Sequence, residues 1–165
     1  MKYSADYIIE KLSLKKHPEG GYYREIYRSD EKIVKDALPL RYEGDRNFST
    51  SIYYLIRRGE VSKLHRLKSD EIYHFYMGAS VEILMIYPDE KVEKRVLGLN
   101  LEKGEEPQII IPKMVWQGLR IIGDDDFALM GTIVSPGFEF DDFELADESI
   151  VKGLLEKVRN IKFFL

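Results

Sequence analysis

Between Tyr22 and Val134 the chain alternates apolar and polar residues over short runs, punctuated by Gly, Pro, Asp and Asn. The runs are YYREIYR (22–28), STSIYYLIRR (49–58), SKLHRL (62–67), EIYHFYM (71–77), VEILMIY (81–87), KRVLGL (94–99), QIIIP (108–112), WQGLRII (116–122) and FALMGTIV (127–134). A period of two marks a strand with one buried face, and YEGDRN, YPDE, EKGEEP and GDDD supply the turns between runs. Short strands in series with no intervening helix predict an all-β sandwich or barrel over about 22–143. The period changes at both ends. Ile8, Ile9 and Leu12 behind a Ser4 cap predict a helix over about 4–13. Ile150, Val151, Leu154, Leu155 and Val158 predict a second over about 147–160. Residues 1–165 thus read as a single all-β domain with flanking helices, long enough to bury a core unaided.

Composition narrows the chemistry. There is no cysteine, which excludes disulfides, thiolate metal sites and cysteine nucleophiles and agrees with a cytoplasmic protein. The longest apolar runs are too short to span a bilayer, and MKYSADYIIEKL places Asp and Glu inside its apolar stretch, unlike a signal peptide. No membrane association is expected. The net charge of −4 comes from interleaved signs, and the longest single-sign run is the acidic Asp124-Asp125-Asp126. Without a basic stripe, nucleic acid is not an expected partner.

One constellation stands out. Gly59, His65, Glu71 and Gly78 keep the spacing G-x5-H-x5-E-x6-G inside the strand-rich stretch 57–78. The glycines suit turns where a side chain is unwelcome. Strand parity puts His65 and Leu67 on one face, and Glu71, Tyr73 and Phe75 on one face opposite His74. His74 therefore reads as a packing or interface residue. A buried carboxylate needs a donor, a cation or a proton, and His65 is one candidate partner for Glu71. His17-Pro18-Glu19-Gly20-Gly21 reads as a tight turn needing no chemistry. Phe138, Phe140 and Phe143 alternate with acidic residues in a flap after the last strand, and Phe138 is the one expected to reach a ligand.

The quartet resembles the first cupin motif, with Leu67 where a second histidine is usual. PKMVWQGLRI (112–121) resembles the second, with Gln117 on its histidine position and Ile121 on its asparagine. HPEGGYYREIYRS (17–29), STSIYYLI (49–56), LHRLKSDEIYHFYMG (64–78) and SPGFEFDDFELAD (135–147) occur in the same order in the cupin-5 subfamily, formerly domain-of-unknown-function family 985. The resemblance implies a double-stranded β-helix, or jelly roll, commonly a homodimer, similar to sugar-nucleotide epimerases and germin-like proteins.

A typical cupin metal site uses three imidazoles and a carboxylate. Leu cannot ligate and a Gln amide oxygen is a weak ligand, so no metal and no other cofactor is expected. What remains is a pocket for a small organic ligand inside the barrel. Ser51, Trp116, Gln117 and Phe138 are expected to bind that ligand, with His65 as general base, Glu71 holding its imidazole and Tyr53 returning the proton. This predicts an epimerase- or isomerase-like enzyme on a carbohydrate- or nucleotide-related compound. The alternatives are a non-catalytic metabolite-binding protein and a metal-dependent cupin dioxygenase. Tyr54, His74 and Tyr76, outward by parity, are expected to serve packing or a homodimer contact.

Overall fold

The computed structural model of the chain describes residues 3–157. Helix α1 (Ala5–Lys11) begins where expected, with Ser4 Oγ accepting the Tyr7 N–H at 3.2 Å. The strands follow as β1 (Lys15–Lys16), β2 (Tyr22–Arg28), β3 (Lys32–Ile33), β4 (Arg46–Asn47), β5 (Thr50–Arg57), β6 (Val61–Leu67) and β7 (Asp70–Gly78). The second half holds β8 (Val81–Ile86), β9 (Val92–Leu97), β10 (Gln108–Ile111), β11 (Trp116–Ile121), β12 (Phe127–Ser135) and β13 (Phe143–Leu145). Helix α2 (Glu148–Lys157) comes last. The part of the second predicted helix at 158–160, including Val158, lies outside the described residues.

Each predicted run has become a strand. The unpredicted strands β1, β3, β4 and β13 are two or three residues long, too short for a period to register. β13 corrects the reading of 135–147 as a flap throughout: Phe143–Leu145 pairs with β6, Phe143 opposite Leu67 and Leu145 opposite His65.

The strands form a six-stranded sheet ordered β1-β2-β5-β12-β7-β10 and a five-stranded sheet ordered β13-β6-β11-β8-β9, with antiparallel pairing in both. This is the jelly-roll sandwich. Its core lies between the sheets, from Tyr54, Ile56, Tyr73, Ile83, Met85, Ile109, Leu119 and Met130. Side chains on the opposite strand faces pack elsewhere. Leu55 and Leu129 meet Ala5 and Ile8 of α1. Leu64, Leu84, Ile86 and Trp116 meet Ile150 and Leu154 of α2.

Local irregularities aim the side chains that matter. Gly59 and Gly78 have φ of 82° and 106°, as turn positions require, and a Cβ at Gly78 would run into the Phe127 carbonyl. Between Gln117 and Leu119 the β6–β11 register shifts: Gln117 faces His65, but Leu119 faces Ser62. One extra residue on β6 makes a bulge, which turns both Ser62 and His65 inward although they are three apart.

Candidate functional site

One end of the sandwich is hollow. A cavity of about 390 Å³ is walled by His17, Glu19, Tyr54, His65, Glu71, Tyr73 and Thr132 in its polar part and by Ile52, Leu67 and Val134 in its apolar part. Tyr23, Phe138, Phe140 and Phe143 line it too, with Lys15, Glu25, Arg28 and Glu139. Phe140 is half exposed and marks the rim.

The HPEGG segment is laid onto the sheet here. The Lys63 N–H donates to the Glu19 carbonyl at 2.8 Å, and Tyr54 Oη donates to the Gly20 carbonyl at 2.8 Å. Gly20 and Gly21 have φ of 115° and 67°, and a Cβ on either would strike the backbone of β6 or β5. Both glycines permit a close backbone approach that buries Glu19 to 5% exposure.

Glu19 then joins two imidazoles. Its Oε2 lies 3.3 Å from His65 Nε2 and 3.4 Å from His17 Nδ1, while Ser62 Oγ donates to its Oε1 at 2.8 Å. His65 Nδ1 sits 2.7 Å from the Lys63 carbonyl. A carbonyl only accepts, so Nδ1 carries the hydrogen and Nε2 faces the carboxylate. Burial pushes Glu19 upward against the pull of His17. It pushes His65 downward against the pull of Glu71. Burial thus favours the neutral form of both groups.

Glu71 occupies a separate part of the wall. Gln117 Nε2 donates to its Oε2 at 2.6 Å, with the Thr132 and Tyr73 hydroxyls beside it. Burial raises its proton affinity, His65 opposes this, and the charge of Glu19 adds to it. The Tyr54 and Tyr73 phenols are pushed well up by burial and then by the carboxyls, Glu19 first for Tyr54 and Glu71 first for Tyr73.

Of the residues singled out in the sequence, His65, Glu71 and Phe138 line the cavity. Gln117 is buried behind Glu71, and its Oε1 has no hydrogen-bond partner among the described residues. Four placements are corrected. Ser51 and Tyr53 lie on the face of β5 opposite to Thr50, Ile52 and Tyr54, which line the cavity. Tyr53 packs instead near Tyr76 and the α1 cluster. Trp116 alternates with Gln117, so it faces α2, with the Arg66 guanidinium 4.5 Å from its ring. Tyr54, expected outward, is 2% exposed inside. His65 has Glu19, not Glu71, as its nearest carboxyl partner. Parity placed His65 with Leu67 and Glu71 with Tyr73 correctly, but which face turned inward is set by the opposing sheet.

His17, Glu19, Tyr54, Tyr73 and Thr132 were not singled out as site residues. The available signal was a buried-type pairing of His and Glu beside two glycines: an open turn does not require glycine twice in succession, whereas a close backbone approach does.

A jelly roll with a polar, aromatic-rimmed cavity at one end defines a small-barrel protein of the cupin class. The chain belongs to the cupin-5 family: residues 6–146 match the family described as Cupin superfamily (DUF985). It is 30% identical to the uncharacterized protein YML079W of Saccharomyces cerevisiae over 97% of this chain and 85% of that one. Among solved structures it is similar to the hypothetical protein from Leishmania major, with TM-score 0.86 and 28% identity over 96% of each chain. Protein SO0799 from Shewanella oneidensis gives TM-score 0.84 and 38% identity, covering 98% of this chain and 97% of that one. Bacillus subtilis oxalate decarboxylase matches at TM-score 0.56 and 13% identity, over 34% of its own length, and shares the fold.

A manganese ion is named for oxalate decarboxylase, so the fit of such an ion to these residues matters. Among the described residues no group of three or more His, Asp and Glu side chains is placed to hold a metal ion. Leu67 offers no ligand atom, and Gln117 turns its amide N–H toward Glu71. The residue set does not fit a divalent ion of the cupin kind. No helix of the described residues is long and apolar enough to cross a membrane.

Proposed function

We propose that the protein binds a small organic ligand in this cavity and moves a proton on it, as an epimerase- or isomerase-type enzyme on a carbohydrate- or nucleotide-related compound in the cytoplasm. The observation that carries the reading is the pair of acid–base units that face one cavity: His65 beside Glu19, and Glu71 with Gln117. Two groups able to hold or release a proton beside the same bound carbon are what proton removal and return require. The role first given to Tyr53 passes to Glu71, which lines the cavity, and the orienting role first given to Glu71 passes to Glu19. The Tyr23, Phe138, Phe140 and Phe143 rings supply flat apolar surface for a sugar or base to stack on.

Native mass spectrometry of freshly purified protein tests the first half by revealing a carried metabolite. Incubating that compound in deuterated water tests the second. Deuterium incorporation or an isomer supports the enzyme. Recovery of unaltered compound makes the protein a binding module. Replacing His65 or Glu71 by Ala is expected to weaken binding at least about tenfold, the worth of one charge-assisted hydrogen bond. Replacing His74, on the opposite sheet face, is expected to leave it unchanged. Equal effects at all three positions would remove the cavity from consideration.

A further inference from the structure

The cavity wall spends most of its hydrogen-bond donors on itself and leaves acceptors open. Ser62 Oγ donates to Glu19 Oε1, Tyr54 Oη to the Gly20 carbonyl and Gln117 Nε2 to Glu71 Oε2. The Arg28 guanidinium is taken up by Glu25, Asn47, Glu139 and the Phe138 carbonyl. The Lys63 carbonyl holds the His65 hydrogen on Nδ1. Glu19 Oε2 and His65 Nε2 stay open, 3.3 Å apart and not hydrogen-bonded to each other, in side chains 5% and 1% exposed as residues. Among the described residues no N–H or O–H donates to either atom. We propose that this floor receives a positively charged nitrogen group of the ligand, an amine or amidine, with Glu19 Oε2 as its anchor. The inference rests on the small-molecule reading of the cavity and names the class it selects, the basic, nitrogen-bearing members of the carbohydrate- and nucleotide-related compounds.

Charge points the same way. Glu19 and Glu71 both line the cavity, and among the described residues neither meets an arginine or a lysine. A buried carboxyl so placed keeps a proton or finds a cation, and burial pushes both of these toward the protonated form. A ligand cation replaces that proton: the carboxyl O–H bond breaks, its proton goes to water, and the carboxylate accepts the ligand's N–H. Glu71 already accepts from Gln117 and has the Thr132 and Tyr73 hydroxyls beside it, so it keeps its part in the proton transfer and Glu19 takes the nitrogen. His65 Nε2 beside the anchor then meets a carbon close to that nitrogen. The wall above is built from the Tyr23, Phe138, Phe140 and Phe143 rings, and aromatic faces attract cations. Tyr23 already holds the exposed Lys15 ammonium 5.0 Å from its ring centroid. A phosphate or carboxylate at the floor would face the acceptors of Glu19 and His65 instead.

The test uses the full chain, freed of any carried metabolite, and three probes of one shape and different charge: benzamidinium, benzamide and benzoate. Each is titrated near neutral pH, with the His65 and Phe143 ring signals reporting occupancy of the cavity. Benzamidinium is expected to bind at least about tenfold more tightly than benzoate, the worth of one charge-assisted hydrogen bond, with benzamide between them. Glu19→Gln, which keeps the side-chain shape, is expected to abolish that preference, and His74→Asn to leave it intact. Benzoate binding as tightly as benzamidinium overturns the inference, as does a benzamidinium titration that leaves both rings unshifted. A preference that survives in Glu19→Gln, with the amide spectrum preserved, overturns the anchor. The wild-type series alone decides the sign of the preference, whatever the folding of the variant. A benzoate preference in a protein that puts deuterium into its metabolite sinks the cation site and keeps the proton transfer. A benzamidinium preference in a protein that leaves its metabolite unaltered does the reverse.

Discussion

A buried ion pair helps to tie down the segment closing the cavity. Arg46 Nε and Nη2 donate to the two oxygens of Asp142 at 2.5 and 2.7 Å, with side-chain exposures of 4% and 2%. Asp142 ends the turn between Phe140 and Phe143, two of the rings lining the cavity. Removing one member of a buried pair leaves the other charge uncompensated, which costs about 3–5 kcal/mol. The two truncations are not equivalent. Arg46→Ala leaves Asp142 with Lys68 Nζ at 3.7 Å, a partial substitute. Asp142→Ala strands Arg46 and withdraws an anion from Lys68, so it belongs at the upper end of that range. At about 4 kcal/mol, a chain of this size loses roughly 8–16 °C of Tm. Thermal unfolding by circular dichroism reads this directly, with Arg46→Met plus Asp142→Leu as the paired control. The double variant is expected to recover most of the loss, because an apolar pair of similar volume leaves no buried charge. A drop below about 1 kcal/mol for Asp142→Ala would refute the reasoning, as would a double variant no more stable than the worse single one.

Two further outcomes are expected. The folded state holds the Glu71 proton above the ordinary value of 4.5 because the side chain is buried. Its contribution to stability is therefore complete below that value and is lost as the pH rises through the raised one. Glu71→Gln should then gain stability on the wild type as the pH rises above the ordinary carboxyl value; denaturant midpoints whose difference is flat or falls with pH contradict this. The outer face of the large sheet, covered by α1 at Leu55 and Leu129, also carries Tyr76 and Ile110, 44% and 49% exposed, and His74, whose buried Nε2 has no hydrogen-bond partner among the described residues. This face is expected to pair with a second copy of the chain, so light scattering at micromolar concentration should give twice 19.3 kDa; the mass of one chain would exclude the pairing.

Much of this molecule was legible without coordinates. The period-two runs predicted β2 and β5–β12, because alternation follows from the pleat whatever the strand packs against. Ser4 announced the start of α1, since capping is local. Gly59 and Gly78 marked turns with positive φ for an equally local steric reason. His65 and Glu71 stood out through their spacing, and both line the cavity. Parity says which residues share a face, but not which face is the inner one. That is decided by the sheet opposite, and Tyr53 and Tyr54 exchanged places on that account. Neighbours on one strand cannot both point inward, so Trp116 went to α2 while Gln117 went to Glu71. The bulge in β6, which brings Ser62 and His65 to one carboxylate, depends on pairing with β11. Glu19 lies 46 residues before His65, and nothing local couples them; only the docking of HPEGG onto β5 and β6 places its carboxyl between two imidazoles.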